Sequence, residues 1–250
     1  MIVKVKEVIE ESSTVKTIVI NKKIKFKPGQ FAMLWLPGVD EKPFSFLDED
    51  KFAIAKVGEF TKKMHELKEG DILGVRGPYG SYFKPYGDRV LAIAGGVGSA
   101  PILPAVKEFS KKAEVTTILG ARCKEELLFV EEFEKYSNEL ILCTDDGSCG
   151  FKGYTTEKLR ELKLESYDLI ITCGPEIMMK KVLELSPIPV QVSMERYMKC
   201  GIGICGQCCV DDQGLCVCRD GPVFNSFQLK YIKEFGKYKR DECGRKVRLC

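Results

Sequence analysis

The 250-residue sequence contains few of the residues on which many binding sites depend, with one histidine, His65, and one tryptophan, Trp35. The lack of a second histidine argues against zinc sites that combine cysteines with paired histidines. No apolar run approaches the roughly 20 residues that a membrane-spanning helix needs, and the first residues lack the apolar core of a signal peptide. The net charge is only +3, from 39 basic and 36 acidic residues, whereas nucleic-acid-binding proteins have a strongly basic face. We therefore expect a cytoplasmic protein that binds neither nucleic acid nor a membrane.

Cysteine, in contrast, is abundant, and six of the twelve cysteines fall between positions 200 and 218. Cys200, Cys205 and Cys208 have the spacing C-x4-C-x2-C, which is typical of plant-type [2Fe–2S] sites when a fourth cysteine follows a short distance on. The glycines between them allow a loop to fold back sharply and bring backbone N–H groups towards sulfur. A structural zinc site is the alternative, but such sites usually pair two C-x2-C units or add histidine. The spacing therefore predicts a [2Fe–2S] cluster.

The residue pattern leaves the fourth ligand open among Cys209, Cys216 and Cys218. Neighbouring side chains of an extended segment point to opposite sides, so Cys208 and Cys209 cannot easily face one cluster. The same alternation lets Cys216 and Cys218 face the same way, and it does not choose between them. Two further cysteines near the C-terminus, Cys243 and Cys250, have no partner that the sequence identifies.

The first 88 residues have the pattern of a small antiparallel β-barrel. The predicted strands are residues 1–7, 14–20, 30–36, 51–57 and 71–75. Turn sequences such as Lys27-Pro-Gly and Glu69-Gly-Asp separate them, and short strands at this spacing are typical of barrels.

From residue 89 the pattern changes to alternating strands and helices, which implies a parallel sheet. The predicted strands are residues 89–94, 114–119, 140–144 and 169–172, and the predicted helices are residues 101–112 and 125–136. The cysteine-rich segment that follows has too little apolar content to fold alone, and we expect the cluster to hold it together. The predicted fold is a multidomain α+β protein: an antiparallel β-barrel (1–88), an α/β parallel-sheet nucleotide domain (89–190) and a small [2Fe–2S] module with the C-terminal tail (191–250).

Three glycine-bearing loops directly follow predicted strands of the α/β domain: Gly95-Gly-Val-Gly98, Thr144-Asp-Asp-Gly147 and Thr172-Cys-Gly-Pro175. Open α/β sheets bind ligands at the ends of their strands, and N–H groups at a helix start attract pyrophosphate. The first loop lacks the G-x-G-x-x-G fingerprint, and taken alone it is also compatible with a tight turn between strand and helix. Three such loops on one edge predict a dinucleotide cleft.

The order of these motifs resembles the ferredoxin–NADP reductase superfamily over essentially the whole chain. The motifs are K-P-F-S at 42–45, G-G-V-G-x-A-P at 95–101, T-D-D-G-S at 144–148 and C-G-P at 173–175. With C-G-I-G-x-C-x-x-C and C-x-D-G-P-V-F added, the sequence is similar to one branch, the electron-transfer subunits of NAD-dependent (class B) dihydroorotate dehydrogenase. Subunits of cytoplasmic hydrogenases and sulfide dehydrogenases carry similar cysteine runs.

The resemblance implies which residues hold the cluster and a flavin, FAD. In these proteins the fourth cluster ligand directly precedes x-D-G-P, which implies Cys218 and leaves Cys216 as an additional thiol. The implied cluster ligands are Cys200, Cys205, Cys208 and Cys218. An R-P-x-S motif and a second stretch contact FAD, and the matching residues here are Lys42, Pro43, Phe44, Ser45, Phe60 and Thr61. Lysine in place of arginine keeps the charge but loses the planar two-point grip on phosphate.

The resemblance also implies that the glycine loops hold a nicotinamide dinucleotide. The implied contacts are Gly95, Gly96 and Gly98 for the pyrophosphate, and Cys173, Gly174 and Pro175 for the nicotinamide. The acidic pair Asp145 and Asp146 would disfavour a 2′-phosphate if either lies near the ribose, and this favours NAD over NADP. Capping of a turn is the alternative role for both aspartates.

A chain with FAD and a [2Fe–2S] cluster converts two-electron hydride transfer into one-electron transfer. The resemblance implies that the substrate is oxidised elsewhere, on an FMN-containing dihydroorotate dehydrogenase catalytic subunit that forms a heterotetramer with this chain. The implied pathway is de novo pyrimidine (UMP) biosynthesis, and we assign no catalytic residue here. One alternative is the NAD(P)H-linked flavin and iron–sulfur subunit of a cytoplasmic hydrogenase or sulfide/ferredoxin oxidoreductase. Another is a cluster-bearing adaptor that has lost the flavin through the lysine at position 42.

Overall fold

The computed structural model describes residues 1–210 and 213–249 of the chain, and Cys250 lies outside them. The first six strands are β1 (Ile2–Glu10), β2 (Val15–Ile20), β3 (Phe31–Leu36), β4 (Asp40–Ser45), β5 (Lys51–Ala55) and β6 (Ile72–Tyr79). They form one antiparallel sheet in the order β4-β3-β6-β1-β2-β5. The edge strands β4 and β5 contact each other, so the sheet curls into a half-barrel. The predicted N-terminal β-barrel is confirmed in this form.

The alternation of side chains along the strands builds the core of the half-barrel. In β1, Val3 and Val5 are buried while Lys4 between them is exposed, as the two-residue period of a strand requires. Phe46 and Phe52 fill the centre, with ring centroids 4.9 Å apart, and both are fully buried. Burial of each such side chain contributes about 1.5–3 kcal/mol.

The sequence pattern did not predict two elements of the half-barrel, the strand β4 and the helix α1 (Glu59–His65). Pro43 lacks an N–H group and therefore made the segment resemble a turn. The segment nevertheless forms a strand because it lies at the edge of the sheet, where proline is tolerated. At the start of α1, the Thr61 hydroxyl accepts the backbone N–H groups of Val57 and Gly58, both at 2.9 Å.

In the part of the chain that the structure describes, the second sheet has seven strands. Four match the predicted strands at 89–94, 114–119, 140–144 and 169–172, and three were not predicted. Its strands are β7 (Arg89–Gly95), β8 (Glu114–Ala121), β9 (Glu139–Thr144), β10 (Phe151–Lys152), β11 (Leu169–Cys173), β12 (Val190–Ser193) and β13 (Val223–Asn225). The order is β10-β9-β8-β7-β11-β12-β13. All neighbouring strands are parallel except β12 and β13. The predicted parallel-sheet domain is confirmed.

The helices of this domain connect its parallel strands. They are α2 (Ser99–Phe109), α3 (Val130–Tyr136), α4 (Thr155–Leu159) and α5 (Glu176–Leu185). The strand β7 is buried from Val90 onwards, because helices and neighbouring strands cover both its faces, and this explains its continuous apolar sequence. The helix α3 starts five residues later than predicted, after a short 3-10 turn over Lys124–Glu126.

The cysteine-rich segment is joined to the parallel sheet. Besides β13 it forms α6 (Val217–Asp220), α7 (Ser226–Leu229), β14 (Tyr238–Arg240) and β15 (Lys246–Arg248). Phe224, Leu229 and Phe235 are buried in the same apolar core as Ile170 of β11. The nucleotide domain therefore supports this segment in addition to any cluster. The strand β12 spans the predicted boundary at residue 190, and the division into three domains stays a prediction.

Among the described residues, no helix has both the length and the apolar character needed to cross a membrane.

Candidate functional site

A cleft of about 340 Å³ lies between the half-barrel and the strand ends of the parallel sheet. Most of the side chains that line it are apolar. On one wall it has Lys42, Pro43, Phe44 and Ser45 of β4, and on the other Val97 and Cys173. The structure thus brings the predicted FAD motif and part of the predicted nicotinamide loop to a single cavity. An apolar slot with a few polar groups on its walls fits a planar ring system.

Lys42 lies on the cleft wall and makes an ion pair with Asp40. Its Nζ lies 2.5 Å from an Asp40 oxygen and donates to the hydroxyl of Tyr197 at 2.7 Å. Burial works to lower the pKa of Lys42, but the hydrogen bonds to Asp40 and Tyr197 outweigh it and raise the pKa. The lysine therefore stays charged. A phosphate at this position would compete with Asp40 for the ammonium group.

Phe60 and Thr61 lie behind the cleft wall. Phe60 is buried and stacks on Phe44, with ring centroids 6.1 Å apart. The Thr61 hydroxyl binds the backbone at the start of α1. Neither side chain lines the cleft, although each supports a residue that does, Phe44 and Val57 respectively. Direct contact of these two residues with FAD stays a prediction.

The two predicted nicotinamide loops meet backbone to backbone at the carboxyl ends of β7 and β11. A Cβ on Gly98 would lie 2.6 Å from backbone atoms of Cys173 and Gly174, and a Cβ on Gly174 would lie 3.0 Å from the Gly95 backbone. Gly96 has a φ of +54° and open space on the side where a Cβ would project. Pro175 continues directly into α5. The six predicted residues are thus brought together, with free space at Gly96 for a ligand.

Asp145 is exposed on the loop after β9. Burial and the neighbouring Asp146 raise the pKa of Asp145, while Arg122 at the end of β8 acts against the rise. Asp146 closes the turn by accepting hydrogen bonds from the Ser148 N–H at 2.9 Å and its hydroxyl at 2.6 Å. The turn-capping role therefore belongs to Asp146, and a ribose contact by Asp145 stays a prediction.

The four predicted cluster ligands lie in two pairs. The Cys205 N–H donates to the Cys200 Sγ at 3.5 Å, and the Cys218 N–H donates to the Cys208 Sγ at 3.3 Å. Each iron of a [2Fe–2S] cluster takes two protein ligands, so two adjacent pairs fit this group. Three glycines at positive φ, Gly201, Gly203 and Gly206, allow the loop to fold around the site.

Backbone N–H groups point at the sulfur atoms of this loop. The N–H groups of Ile202, Ile204 and Cys205 donate to the Cys200 Sγ at 3.5, 3.4 and 3.5 Å, and the Gly203 N–H reaches the Cys218 Sγ at 3.1 Å. Burial opposes ionisation of Cys200, but these donors outweigh it and lower its pKa to about 6. Because thiolates are the ligands of iron, the donors favour the ligating form.

In the structure, Cys218 has a different neighbouring cysteine from the other two candidates for the fourth ligand. The helix α6 begins at Val217, so the strand-like alternation that made Cys216 and Cys218 equivalent does not apply. Cys218 lies with Cys208, whereas Cys209 and Cys216 face each other across an isolated antiparallel bridge. This arrangement supports Cys218 as the ligand, which stays a prediction at the level of the individual residue.

Arg76 fastens the cysteine loop to the half-barrel, a role that the sequence pattern did not reveal. Its Nε and Nη2 donate to the two carboxylate oxygens of Glu41 at 2.8 and 2.6 Å. Its Nη1 and Nη2 both donate to the Cys200 carbonyl at 3.2 Å. Glu41 directly precedes Lys42 in β4, so the same short strand lines the cleft and holds the cluster loop. Arg76 lies in β6, and no motif around it in the sequence indicated this contact.

Glu195 and Arg196 are two further residues of the cleft wall that were not predicted as site residues. Glu195 has accessible surface and lines the cleft. Desolvation by the protein atoms packed around the carboxyl raises its pKa, Glu176 adds to the rise, and Lys239 and Arg196 act against it. Arg196 is buried between Glu176 and Glu234. The sequence signal was their position in the run from Met194 to Lys199, just before the first cluster cysteine.

Comparison with known protein families matches two parts of the chain. Residues 195–230 match the family described as the iron-sulfur cluster binding domain of dihydroorotate dehydrogenase B. Residues 92–184 match the oxidoreductase NAD-binding domain. These matches cover the cysteine loop and the glycine loops respectively.

Curated relatives match along nearly the whole length. A protein of Methanocaldococcus jannaschii, named "Probable dihydroorotate dehydrogenase B (NAD(+)), electron transfer subunit", is 71% identical over 99% of this chain and 98% of its own length. Proteins with the same name from Pyrococcus furiosus and Methanothermobacter thermautotrophicus are 47% and 44% identical. They cover 97% and 98% of this chain and 97% and 96% of their own lengths.

Solved structures share the fold. The NADH-dependent reduced ferredoxin-NADP oxidoreductase has a TM-score of 0.82 and 30% identity, with 93% of each chain covered. The ferredoxin reductase in carbazole 1,9a-dioxygenase has a TM-score of 0.67 and 22% identity over 77% of this chain and 68% of its own, which shows the fold alone. Taken together, the matches confirm the predicted oxidoreductase class and the predicted cofactors, an iron–sulfur cluster, FAD and NAD.

Proposed function

The chain belongs to the family of dihydroorotate dehydrogenase B electron transfer subunits, and on that premise we propose what it does and with which partner. It receives electrons from a separate FMN-containing catalytic subunit and passes them through a [2Fe–2S] cluster and FAD to NAD⁺. The electrons come from dihydroorotate, in de novo pyrimidine (UMP) biosynthesis, and the two subunits form a heterotetramer in the cytoplasm. One observation carries the proposal: β4 lines the apolar cleft and, through Glu41 and Arg76, also holds the Cys200 loop.

The residues proposed to hold each group are those that the structure brings together. The cluster is held by Cys200, Cys205, Cys208 and Cys218. The wall from Lys42 to Ser45 holds the flavin, and the loops at Gly95–Gly98 and Cys173–Pro175 hold the nicotinamide dinucleotide. When bound, the flavin exchanges hydride with nicotinamide and single electrons with the cluster.

The chain itself supplies positioning, a largely dry cavity and a site for a proton. The contact of Gly98 with Cys173 and Gly174 fixes the two nucleotide loops relative to each other. Most side chains of the cleft wall are apolar, and they limit hydration of the space between the loops and β4. The Glu195 carboxyl faces this space beside Cys173, and because its pKa is raised it holds a proton more readily than an ordinary glutamate does.

A second candidate function rests on the likeness to the NADH-dependent reduced ferredoxin-NADP oxidoreductase. The same relay would then belong to a ferredoxin-linked oxidoreductase or a hydrogenase. In that case the partner subunit would carry iron–sulfur clusters and no dihydroorotate site. The nature of the partner therefore separates the two functions.

The test is an anaerobic affinity purification of the chain from its host, with the partner identified by mass spectrometry and the complex assayed for dihydroorotate-dependent NAD⁺ reduction. We expect an FMN-containing partner, activity in the complex, and none in the isolated chain. Cys205→Ser should abolish this activity but leave NADH-dependent dye reduction, and Cys243→Ser, which changes an exposed thiol, should leave both unchanged. Oxidation of dihydroorotate by the isolated chain at the full rate, or a hydrogenase as partner, would contradict the proposal.

A further inference from the structure

Cys209 and Cys216 lie opposite each other in a short antiparallel bridge. The Val210 N–H donates to the Leu215 carbonyl at 2.8 Å, and the Val217 N–H donates to the Cys208 carbonyl at 3.1 Å. These two bonds flank the cysteines, so Cys209 and Cys216 are a non-hydrogen-bonded pair. The Cα atoms of such a pair are about 4.5 Å apart and its side chains are especially close. That separation falls within the range of about 4.4–6.8 Å that a disulfide requires.

The bridge places the side chains of the two cysteines next to each other. Cys208 has a different neighbour, since its Sγ accepts the Cys218 N–H at 3.3 Å. Cys209 is partly exposed and Cys216 is buried. One thiol of the pair is thus accessible to a small reagent, and the other is protected but within reach of the first.

We propose that Cys209 and Cys216 form a redox-active dithiol that low-molecular-weight disulfides oxidise to a cross-strand disulfide. The Cys209 sulfur attacks the reagent disulfide, a mixed disulfide forms, and the first reagent thiol leaves. The Cys216 sulfur then attacks the Cys209 sulfur and displaces the second reagent thiol. The protein loses two electrons and two protons, and the reagent disulfide gains both as two thiols.

The position of this dithiol links it to the cluster loop without making it part of the ligand set. Cys209 directly follows the proposed ligand Cys208, and Cys216 lies two residues before the proposed ligand Cys218. A disulfide between them would link the segment that carries Cys208 covalently to the segment that carries Cys218. The inference depends on the bridge geometry and holds whichever partner subunit the chain serves.

The test uses the full chain, purified anaerobically with its cofactors and incubated with oxidised glutathione. Free thiols are then blocked with N-ethylmaleimide, and the peptides are analysed by mass spectrometry. We expect a Cys209–Cys216 linked peptide that dithiothreitol reverses, with the visible absorbance of the cluster retained. Cys216→Ser should stop the reaction at a glutathione adduct on Cys209, and Cys209→Ser should leave the buried Cys216 unmodified. Cys243→Ser is the matched control and should not alter the link.

Three results would overturn the proposal. The first is complete maleimide labelling of Cys209 and Cys216 in the wild-type chain after incubation with oxidised glutathione. The second is a link from either residue to Cys208 or Cys218 instead. The third is loss of cluster absorbance in a folded Cys216→Ser protein, which would make Cys216 a ligand. The wild-type measurement decides the proposal even if a variant does not fold.

Discussion

Replacement of Arg196 by methionine should destabilise the protein strongly, because Arg196 is the cation of a buried ion triad. The Arg196 side chain is 2% exposed, and those of Glu176 and Glu234 are 8% and 0% exposed. The Nε donates to Glu234 at 2.9 Å, and Nη1 and Nη2 both bind Glu176, the latter at 3.0 Å. Burial works to lower the pKa of Arg196, but the two carboxylates raise it, so the arginine is charged.

The size of the effect follows from the two carboxylates that the substitution would leave buried. Removing one partner of a buried ion pair costs about 3–5 kcal/mol. In a chain of this size 1 kcal/mol shifts the melting temperature by about 2–4 °C, so we expect a decrease of about 6–20 °C. Flavin retention should fall as well, because Arg196 lines the cleft.

The assay is thermal and urea unfolding of anaerobically prepared wild-type and Arg196→Met proteins. Arg122→Met is the matched control, since Arg122 makes an ion pair with Glu126 in which its side chain is 77% exposed, and it should unfold like the wild type. If Arg196→Met lost less than about 1 kcal/mol, the value typical of surface ion pairs, the assignment of the triad as a buried electrostatic anchor would be refuted.

Four other substitutions test the cleft and the cluster loop. Because desolvation in the cleft raises the pKa of Glu195, ionisation of its carboxyl lowers the stability of the folded state as the pH rises from the ordinary pKa of glutamate to the raised one. Glu195→Gln should therefore be more stable than the wild type at neutral pH, and the difference should shrink as the pH falls through the raised pKa; a pH-independent difference in thermal unfolding would contradict this. Gly98→Ala should cost about 1–3 kcal/mol by overpacking, since its Cβ would lie 2.6 Å from the Cys173 backbone. Gly96→Ala has room and should lose about 1 kcal/mol from its positive φ, but it should weaken NADH binding; equal effects of the two on NADH titrations would argue against a ligand at Gly96. Cys205→Ser should remove the cluster absorbance while NADH-dependent dye reduction continues, and loss of both would show that the flavin and cluster regions are not separable.

The sequence predicted those features that local patterns encode. The strand β7 was predicted because it is continuously apolar, and the three glycine loops because each directly follows a strand. The grouping of Cys200, Cys205 and Cys208 in one loop was predicted because their C-x4-C-x2-C spacing is typical of a [2Fe–2S] site. The strand β4 was not predicted, because its local sequence signal points away from a strand. The proline at position 43 is a local turn signal, and only its place at the sheet edge makes it compatible with a strand.

The contacts that assemble the site could not be predicted from local patterns. Lys42 and Tyr197 are 155 residues apart in sequence, and Arg76 and Cys200 are 124 residues apart. Nothing near either basic residue indicates its distant partner. Strand alternation alone did not choose between Cys216 and Cys218, and only the resemblance implied Cys218, through the x-D-G-P that follows it. The helix α6, whose four residues are too few to give a periodic signal, is consistent with that choice.

An anaerobic NADH titration of the isolated chain tests most directly whether the cleft and the cysteine loop form one electron path. Flavin reduction is followed by visible absorbance and cluster reduction by low-temperature electron paramagnetic resonance. We expect the flavin absorbance to bleach and the signal of a reduced [2Fe–2S] cluster to appear in the same titration. A flavin that NADH reduces fully while the cluster stays oxidised would contradict the proposed connection through β4 and Arg76.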